Sequence, residues 1–563
     1  MRGSTRRGAV VAAAVGLTLV LAACGGDDDG GDDSGSSDEG TGSSDGPTGT
    51  VSINSTQPEN PLIPTTTNEV GGGNIVDAMW TGLVSYDSAT GEPGLAMAES
   101  IEPNEDFTEF TITIHDGWTF HDGSPVTAQS YVDAWNFGAY GANAQLNQYF
   151  FGPDGANIAG YDTVAGTTDD AGAFVEGSAT SETMSGLVVV DETSFTVTLG
   201  SPNSLFETII GYSAFYPMPE SFFTDQAAFI EHPIGNGPFE FVEEVPNTSI
   251  NLRAYADYPG EVQPQVENIE YRIYADLDAA YADVVSNQLD ILDKIPPVGL
   301  AGDVWQTDLE GRSASEPLTT RFTSLTFPLT NTEAWADANL RKAISMAIDR
   351  EAVIAAAYGP GNYVPANSWV PPGNDGYVEG TCGEWCEFDA TAAQELYAQT
   401  PGVEGTLLIS SNSDGGHREW VEAACTSIRE TLGIECQGDY NPDFGSFRAR
   451  VNANEITNPF RTGWVADYPS IQNFLAPLYT TNGSANDGGY SNPEFDTLIQ
   501  EAAGLEGDEA LDLYNQAETL LADDMAIIPL WYDNGQRGWS ENVNEPQFTW
   551  KGYVDPLSIS VKN

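Results

Sequence analysis

Positive charge is what this sequence has least of. Its 563 residues carry 19 Lys+Arg against 84 Asp+Glu, a formal net charge of −65. Such a surface repels phosphate backbones and anionic lipid headgroups, so neither nucleic acid nor direct adsorption to a membrane is expected. The acidity is spread along the chain and reads as a means of staying soluble, not as a site. Histidine is scarce too: His115, His121, His232 and His417 are the only four. None falls in H-E-x-x-H or another metal-ligand spacing, and no P-loop or dinucleotide fingerprint is present. Acidic residues are so abundant that two close together say nothing about glycosidase chemistry. No catalytic residue, metal or cofactor is therefore expected, and the chain is not read as an enzyme. No period suggests repeats. The chain is too long for one ordinary core, and its 40% hydrophobic and 10% aromatic content can build two or three lobes.

Cysteine is limited to five residues. Setting Cys24 aside, Cys382, Cys386, Cys425 and Cys436 form an even set that implies disulfides in an exported protein, with three possible pairings. C-x3-C followed by C-x10-C does not match zinc-knuckle spacing. Cys425 falls late in an expected helix, 418–432, and Cys436 in the strand after the Gly433 turn, so Cys425–Cys436 can close across a helix–strand corner. Cys382–Cys386 then closes the tight loop Gly383-Glu384-Trp385.

No apolar run reaches the roughly 20 residues of a membrane span. The longest is a short segment from Ala9 to Ala23, preceded by Arg2, Arg6 and Arg7, which has the form of a signal peptide. It ends in Leu21-Ala22-Ala23-Cys24-Gly25, which resembles the bacterial lipobox, where cleavage before the cysteine leaves a lipidated thiol. The resemblance implies a mature chain starting at Cys24, tethered to the outer face of the cytoplasmic membrane. Each buried acyl methylene contributes about 0.8 kcal/mol to such a tether. The Arg6-Arg7 pair leaves Sec and twin-arginine export both open. Residues 24–50 are almost only Gly, Asp, Ser, Glu and Thr and read as a flexible leash. Gly42-Ser43-Ser44-Asp45-Gly46 fits G-x-S-x-G, but a leash supplies neither the strand nor the helix that a nucleophile elbow needs.

Beyond Val51 strand-like and helix-like stretches alternate. Residues 107–114 (FTEFTITI) read as a strand and 188–199 as two strands around an Asp-Glu turn. Residues 128–140 read as a helix. Another begins after the N-cap Asp337, with Leu340, Ala343, Ile344, Ala347 and Ile348 on one face. Residues 498–523 hold one or two helices, and 526–532 a buried strand. The mixture predicts α/β lobes with mixed sheets.

Several segments, in order, resemble the extracytoplasmic solute-binding proteins of peptide ABC importers, the oligopeptide, dipeptide and nickel-binding group. They are Trp80-Thr81-Gly82-Leu83-Val84, then Gly91-Glu92-Pro93-Gly94-Leu95-Ala96, then Phe120-His121-Asp122-Gly123-Ser124-Pro125-Val126-Thr127-Ala128. Pro233-Ile234-Gly235-Asn236-Gly237-Pro238-Phe239 follows, with Asn236 where the family usually has a small hydroxylic residue. Leu289-Asp290-Ile291, the helix 340–350 and Gly463-Trp464-Val465-Ala466-Asp467-Tyr468-Pro469 complete the set. Physically most read as structural: a turn with Thr127 as helix cap, a sharp reversal at Gly235, Gly237 and Pro238, and a core helix.

The resemblance implies a two-lobed, periplasmic-binding-protein-like α/β fold with a hinge and an extra domain on the first lobe. By analogy residues 51–85, 235–326 and 534–563 form the first lobe, 86–234 the extra domain and 327–533 the second lobe. It also implies a short peptide as ligand, ABC permease subunits as membrane partners and a monomer. Asp467 would pair with the ligand's α-ammonium, because a buried carboxylate needs a cationic or donor partner. Gly463 would let the ligand backbone approach, Trp464 would wall a side-chain pocket and Arg461 would reach the ligand carboxylate. On the first lobe, Leu62-Ile63-Pro64 resembles the family's L-D-P with Ile63 replacing Asp. Counting on without gaps places Asn68, Glu69 and Val70 where backbone pairs with the peptide. The alternatives are the same fold holding an oligosaccharide or metal chelate, a peptide-sensing receptor, or a secreted hydrolase.

Overall fold

A computed structural model describes residues 46–168, 174–413, 416–481 and 483–562, without the side chains of 317–319. The signal peptide, Cys24, the leash up to Asp45 and most of the Gly42–Gly46 motif lie outside the described residues. Among the described residues the first backbone pairing is from Thr48 N–H to Gln265 O at 3.1 Å, and the first strand is Thr50–Ser55.

Among the described residues, eleven strands form one continuous sheet. From one edge the order is Cys436–Asn441, Leu407–Asn412, Phe460–Val465, Ser313–Thr326, Ile527–Trp539, Ile291–Leu292, Thr50–Ser55, Asn268–Ile273, Ser249–Ala254 and Phe239–Val245, with Tyr363–Pro365 also on Ile527–Trp539. The two long central strands belong to both lobes. Ile527–Trp539 pairs with Ile291–Leu292 through Trp539 and Gly538 at its far end, and with the 322–326 stretch of its long partner at its near end. The register between the two breaks between Pro317 and Phe322, midway along. The apolar run 526–532 accounts for only the half inside the second lobe. The strand continues through Asp533–Trp539, a polar stretch without the periodicity that betrays a strand.

Helices cover this sheet and the core divides accordingly. One cluster, including Val51, Trp80, Trp135, Phe150, Phe215 and Leu252, fills the first lobe, and another, including Leu340, Trp369, Trp420, Phe474 and Trp531, fills the second. A four-stranded sheet in the order Ala98–Pro103, Glu109–Ile114, Ser194–Thr198, Leu187–Val189 packs within the first cluster. Here the 107–114 and 188–199 readings appear as strands, the latter as two strands around a turn. The 128–140 reading is the helix Ala128–Ala139, where Ser130 Oγ accepts from Thr127 N–H at 3.2 Å. The 498–523 region forms two helices, Pro493–Ala503 and Gly507–Asp524.

The helix Ala338–Met346 is capped by Asp337, which accepts from Asn339 N–H at 2.9 Å. Arg350, 3% exposed, starts the next helix, Arg350–Ala357. Its guanidinium donates to Pro529 O at 2.9 and 2.8 Å and to Cys386 O at 2.9 Å, and burial pushes its pKa down to about 10. A buried cation satisfied by carbonyls thus ties helix, central strand and disulfide loop together. Cys382–Cys386 and Cys425–Cys436 are bonded.

The Gly235–Pro238 segment is less a sharp reversal than a close approach. A Cβ on Gly235 would lie 2.0 Å from Met79 O, and one on Gly237 2.5 Å from Met79 C. His121 clamps it: Nδ1 accepts from Gly235 N–H at 3.1 Å, which leaves Nε2–H to donate to Gly237 O at 3.1 Å. Buried Asn236 completes the joint by accepting from Thr81 N–H (3.1 Å) and donating to Thr81 O (2.9 Å).

Candidate ligand-binding site

The strand Phe460–Val465 runs antiparallel to Ser313–Thr326 along Arg321–Thr326, with Gly463 opposite Thr323. On its other side it meets Leu407–Asn412 only through the Ser410–Phe460 pair, after which the strands part. From Arg461 to Val465 one strand edge is therefore open to an added backbone. Alternation sends Thr462 and Trp464 to one face and Arg461 and Gly463 to the other. Thr462 is held by the hydroxyls of Ser324 (2.7 Å) and Thr326 (2.6 Å). Gly463 is exposed, and a Cβ there would meet Phe322 O at 3.0 Å, a tight contact that favours glycine.

The chain then crosses from one core to the other. Ala466 belongs to the second-lobe cluster and Tyr468 to the first-lobe cluster, so Asp467 sits on the seam. Its Oδ2 accepts from Tyr149 Oη at 3.3 Å, a contact between residues 318 apart, and from Asn473 Nδ2 at 3.1 Å. Asn473 Oδ1 in turn accepts from Asp467 N–H at 2.8 Å and Trp464 Nε1–H at 3.0 Å. Two N–H donors on one oxygen fix the orientation of that amide. Burial pushes the Asp467 carboxyl up to about 6, against the Lys551 ammonium and the donors of Asn473, Tyr149 and Tyr212, which favour ionisation.

The facing wall is aromatic. Tyr149 stacks on Phe150 at 4.3 Å, and Phe150 on Tyr212 at 4.3 Å. Lys551 Nζ stands 5.2 Å from the Tyr212 ring centroid and 5.3 Å from that of Trp550. Its segment is fixed by the long central strand: Thr320 Oγ1 donates to Trp550 O at 3.1 Å and Arg321 Nε to Lys551 O at 3.2 Å. Beside it opens a cavity of about 800 Å³ whose walls include Asp77, Trp118, Tyr216, Tyr258, Trp550 and Lys551. Asp77 faces this space and accepts from Tyr216 Oη at 3.2 Å.

Arg461 lies on the other arm of the strand, its guanidinium 5.9 Å from the Phe444 ring centroid. Arg461 and Lys294 both lie near His417. After burial, these two cations hold the nearby His417 well below the usual imidazole range. Trp464 is partly buried against the second-lobe core.

On the first lobe, Glu69 is extended (φ −114°, ψ 160°) and caps the helix Val70–Met79, both carboxylate oxygens accepting from Gly72 N–H at 3.0 Å. Asn68 is exposed, and Val70, 44% exposed, is already helical. Asp77 stands near the other end of that helix. Asp467, Gly463, Trp464 and Arg461 thus share one strand and its exit turn, while Asn68, Glu69 and Val70 stand on the first lobe. Tyr149, Tyr212, Asp77, Lys551 and Asn473 complete the site and were not nominated from sequence. Only Asn473, six residues past Asp467, lies within local reach of the motif. Among the described residues no three His, Cys, Asp or Glu side chains gather as a metal site, and no helix is long and apolar enough to cross a membrane.

The family model for "Bacterial extracellular solute-binding proteins, family 5 Middle" matches residues 92–486, more than half of the chain. The chain belongs to this family. Similar solute-binding proteins include the oligopeptide-binding protein OppA of Bacillus subtilis, 25% identical over 552 residues, covering 94% of each chain. The dipeptide-binding protein DppE of the same organism is 25% identical over 485 residues, covering 82% of this chain and 83% of that protein. The fold is that of the Escherichia coli murein tripeptide binding protein MppA, with a TM-score of 0.79 at 19% identity, covering 92% of this chain and 99% of that one. Haemophilus influenzae OppA in complex with the peptide RPPGFSPFR has a TM-score of 0.77 at 19% identity, covering 92% and 99%. Both share the two-lobed architecture.

Proposed function

We propose that this solute-binding protein captures short peptides between its two lobes and hands them to an ABC import permease. The observation that carries the reading is Asp467: a carboxylate on the lobe seam, beside an open strand edge, whose burial makes its charge costly and so favours a cation placed against it. A peptide's α-ammonium supplies that cation with three donors, and its backbone extends the Phe460–Val465 edge. Arg461 and Lys294 then lie toward the ligand's carboxylate end. The names of the curated relatives, oligopeptide- and dipeptide-binding, support the same class.

Asn68, Glu69 and Val70 would offer first-lobe backbone to the same peptide. Closure would turn on the two long central strands, where the register breaks. The protein would act as a monomer, held outside the cytoplasmic membrane by a lipid on Cys24.

The test is calorimetric titration of the ligand-stripped protein, from Gly46 onward, with a mixed peptide pool and with the same pool N-acetylated. Heat with the free pool that acetylation abolishes is the expected result. Equal heat with both pools would remove Asp467 from ammonium capture, and no heat with either would move the search to sugars and chelates.

A further inference from the structure

Apart from the seam at Asp467, the two lobes also meet through a second set of bonds. Asp154 Oδ2 accepts from Ser484 N–H at 3.0 Å, a contact between residues 330 apart. Ser204 N–H donates to Ala503 O at 2.9 Å, and Ser204 Oγ donates to Leu505 O. The same faces pack together, since a Cβ on Gly504 would lie 3.4 Å from Pro202 Cβ. Phe151, Ala156 and Phe206, neighbours of Asp154 and Ser204, belong to the first-lobe core. Tyr490, Phe495 and Ala502, neighbours of Ser484 and Ala503, belong to the second. Each bond thus crosses between lobes. Among the described residues, the lining of the cavity beside Lys551 includes none of those so bonded.

Both faces are held firm before they meet. On the first lobe, buried Asn203 donates from Nδ2 to Gly155 O at 3.1 Å and from its N–H to Phe107 O at 3.0 Å. That residue fastens the Ser204 turn to the Asp154 turn. On the second lobe, Thr481 N–H donates to Asp496 Oδ1 at 2.9 Å, which ties the Ser484 loop to the helix Pro493–Ala503. Asn486 closes the loop, accepting from Tyr490 N–H at 2.9 Å and donating to Tyr490 O at 2.7 Å. Ala503 O stands at the helix C-terminus, where carbonyls lack a partner within the helix. Ser204 supplies that partner from the opposite lobe.

We propose that these bonds form a clasp on the closed form, through which Asp154 and Ser204 set how long a ligand is held without touching it. A rotation that opens the cleft about the central strands parts the two faces and breaks the bonds together, and closure remakes them. Because the clasp exists only after closure, its loss is felt in dissociation far more than in association. The inference rests on the reading of peptide capture between closing lobes and is tested separately from it.

The probe is a pool of tri- to hexapeptides with free amino termini, loaded onto the stripped protein and then diluted. Release is read peptide by peptide by mass spectrometry. Losing one net hydrogen bond speeds release by roughly three- to tenfold, so Asp154→Ala combined with Ser204→Ala should release the pool at least about tenfold faster. Association should change by less than about threefold. Asp154→Asn, whose amide oxygen can still accept from Ser484 N–H, should release the pool as wild type does. The stripped double variant should melt with stripped wild type, because the open form makes none of these bonds. In wild type, hydrogen exchange at the Ser204 and Ser484 amides should slow when the pool is bound. If wild type holds the pool in an acetylation-sensitive way and the double variant releases it at the wild-type rate, the clasp is wrong while peptide capture stands. Exchange at Ser204 and Ser484 that ignores the pool, or a stripped double variant that melts lower, would overturn the clasp in the same way. If wild type binds no peptide, both are overturned.

Discussion

Replacing Asp467 by Asn should stabilise the empty protein while disabling capture. Burial raises the carboxyl from an ordinary 3.8 to about 6, so the folded state holds its proton more tightly than the unfolded chain does. The sign follows: between about pH 4 and pH 6 the folded protein binds more protons, stability falls as pH rises through that window, and the loss is complete above it. A shift of about two units corresponds to about 3 kcal/mol, which partial exposure reduces to roughly 1–3 kcal/mol. Asn removes this cost and keeps the local bonds, since Tyr149 and Asn473 both donate to the same oxygen, a place the amide oxygen can take. At pH 8 the variant should melt about 2–6 °C higher if a lobe melts as a unit. The gap should close by pH 4, where wild-type Asp467 is neutral in the fold. Differential scanning calorimetry of stripped protein across pH 4–8 reads both. A variant that melts lower at pH 8, or a gap that does not depend on pH, would refute the reasoning.

The same titration gives binding a pH dependence. A ligand ammonium needs ionised Asp467, so affinity for free-amino peptides should fall by up to about tenfold per pH unit below about pH 6, measured by calorimetry at pH 7.5, 5.5 and 4.5. Asn473→Ala removes the amide that holds Trp464, the Asp467 N–H and its carboxylate. It should cost about 1–3 kcal/mol in denaturant unfolding and weaken peptide binding about tenfold. Gly235→Ala forces a Cβ to 2.0 Å from Met79 O and should cost more than about 3 kcal/mol or abolish soluble yield. By contrast Gly73→Ala, in the same first-lobe helix with open space around it, should raise stability by about 0.5–1 kcal/mol.

What could be read along the chain was whatever is periodic or local. Strands such as Glu109–Ile114 and the helix after Asp337 announce themselves through alternation and capping. The exit turn Ala466–Pro469 could be nominated because its residues adjoin one another. The rest of the site could not, since Tyr149, Tyr212, Asp77 and Lys551 come from separate segments dozens to hundreds of residues apart and meet only once the two cores form. His121 shows the same limit on a smaller scale. Its Asp122-Gly123 turn is ordinary turn chemistry, with Gly123 at φ 79°, but its ring clamps Gly235 and Gly237, more than a hundred residues away. Of the two long central strands only the first half of Ile527–Trp539 was visible, because strand periodicity fades where Asp533–Trp539 leaves the second core for the first, and Ser313–Thr326 was not read at all.

The most direct test of peptide capture is to identify what the protein carries when it is purified under native conditions from the cells that make it. The bound material would be released by unfolding and analysed by mass spectrometry. The account predicts short peptides with unmodified amino termini, absent from material purified with Asp467→Asn. Recovery of sugars, chelates or blocked peptides from the wild type, or of the same peptides from the variant, would contradict it.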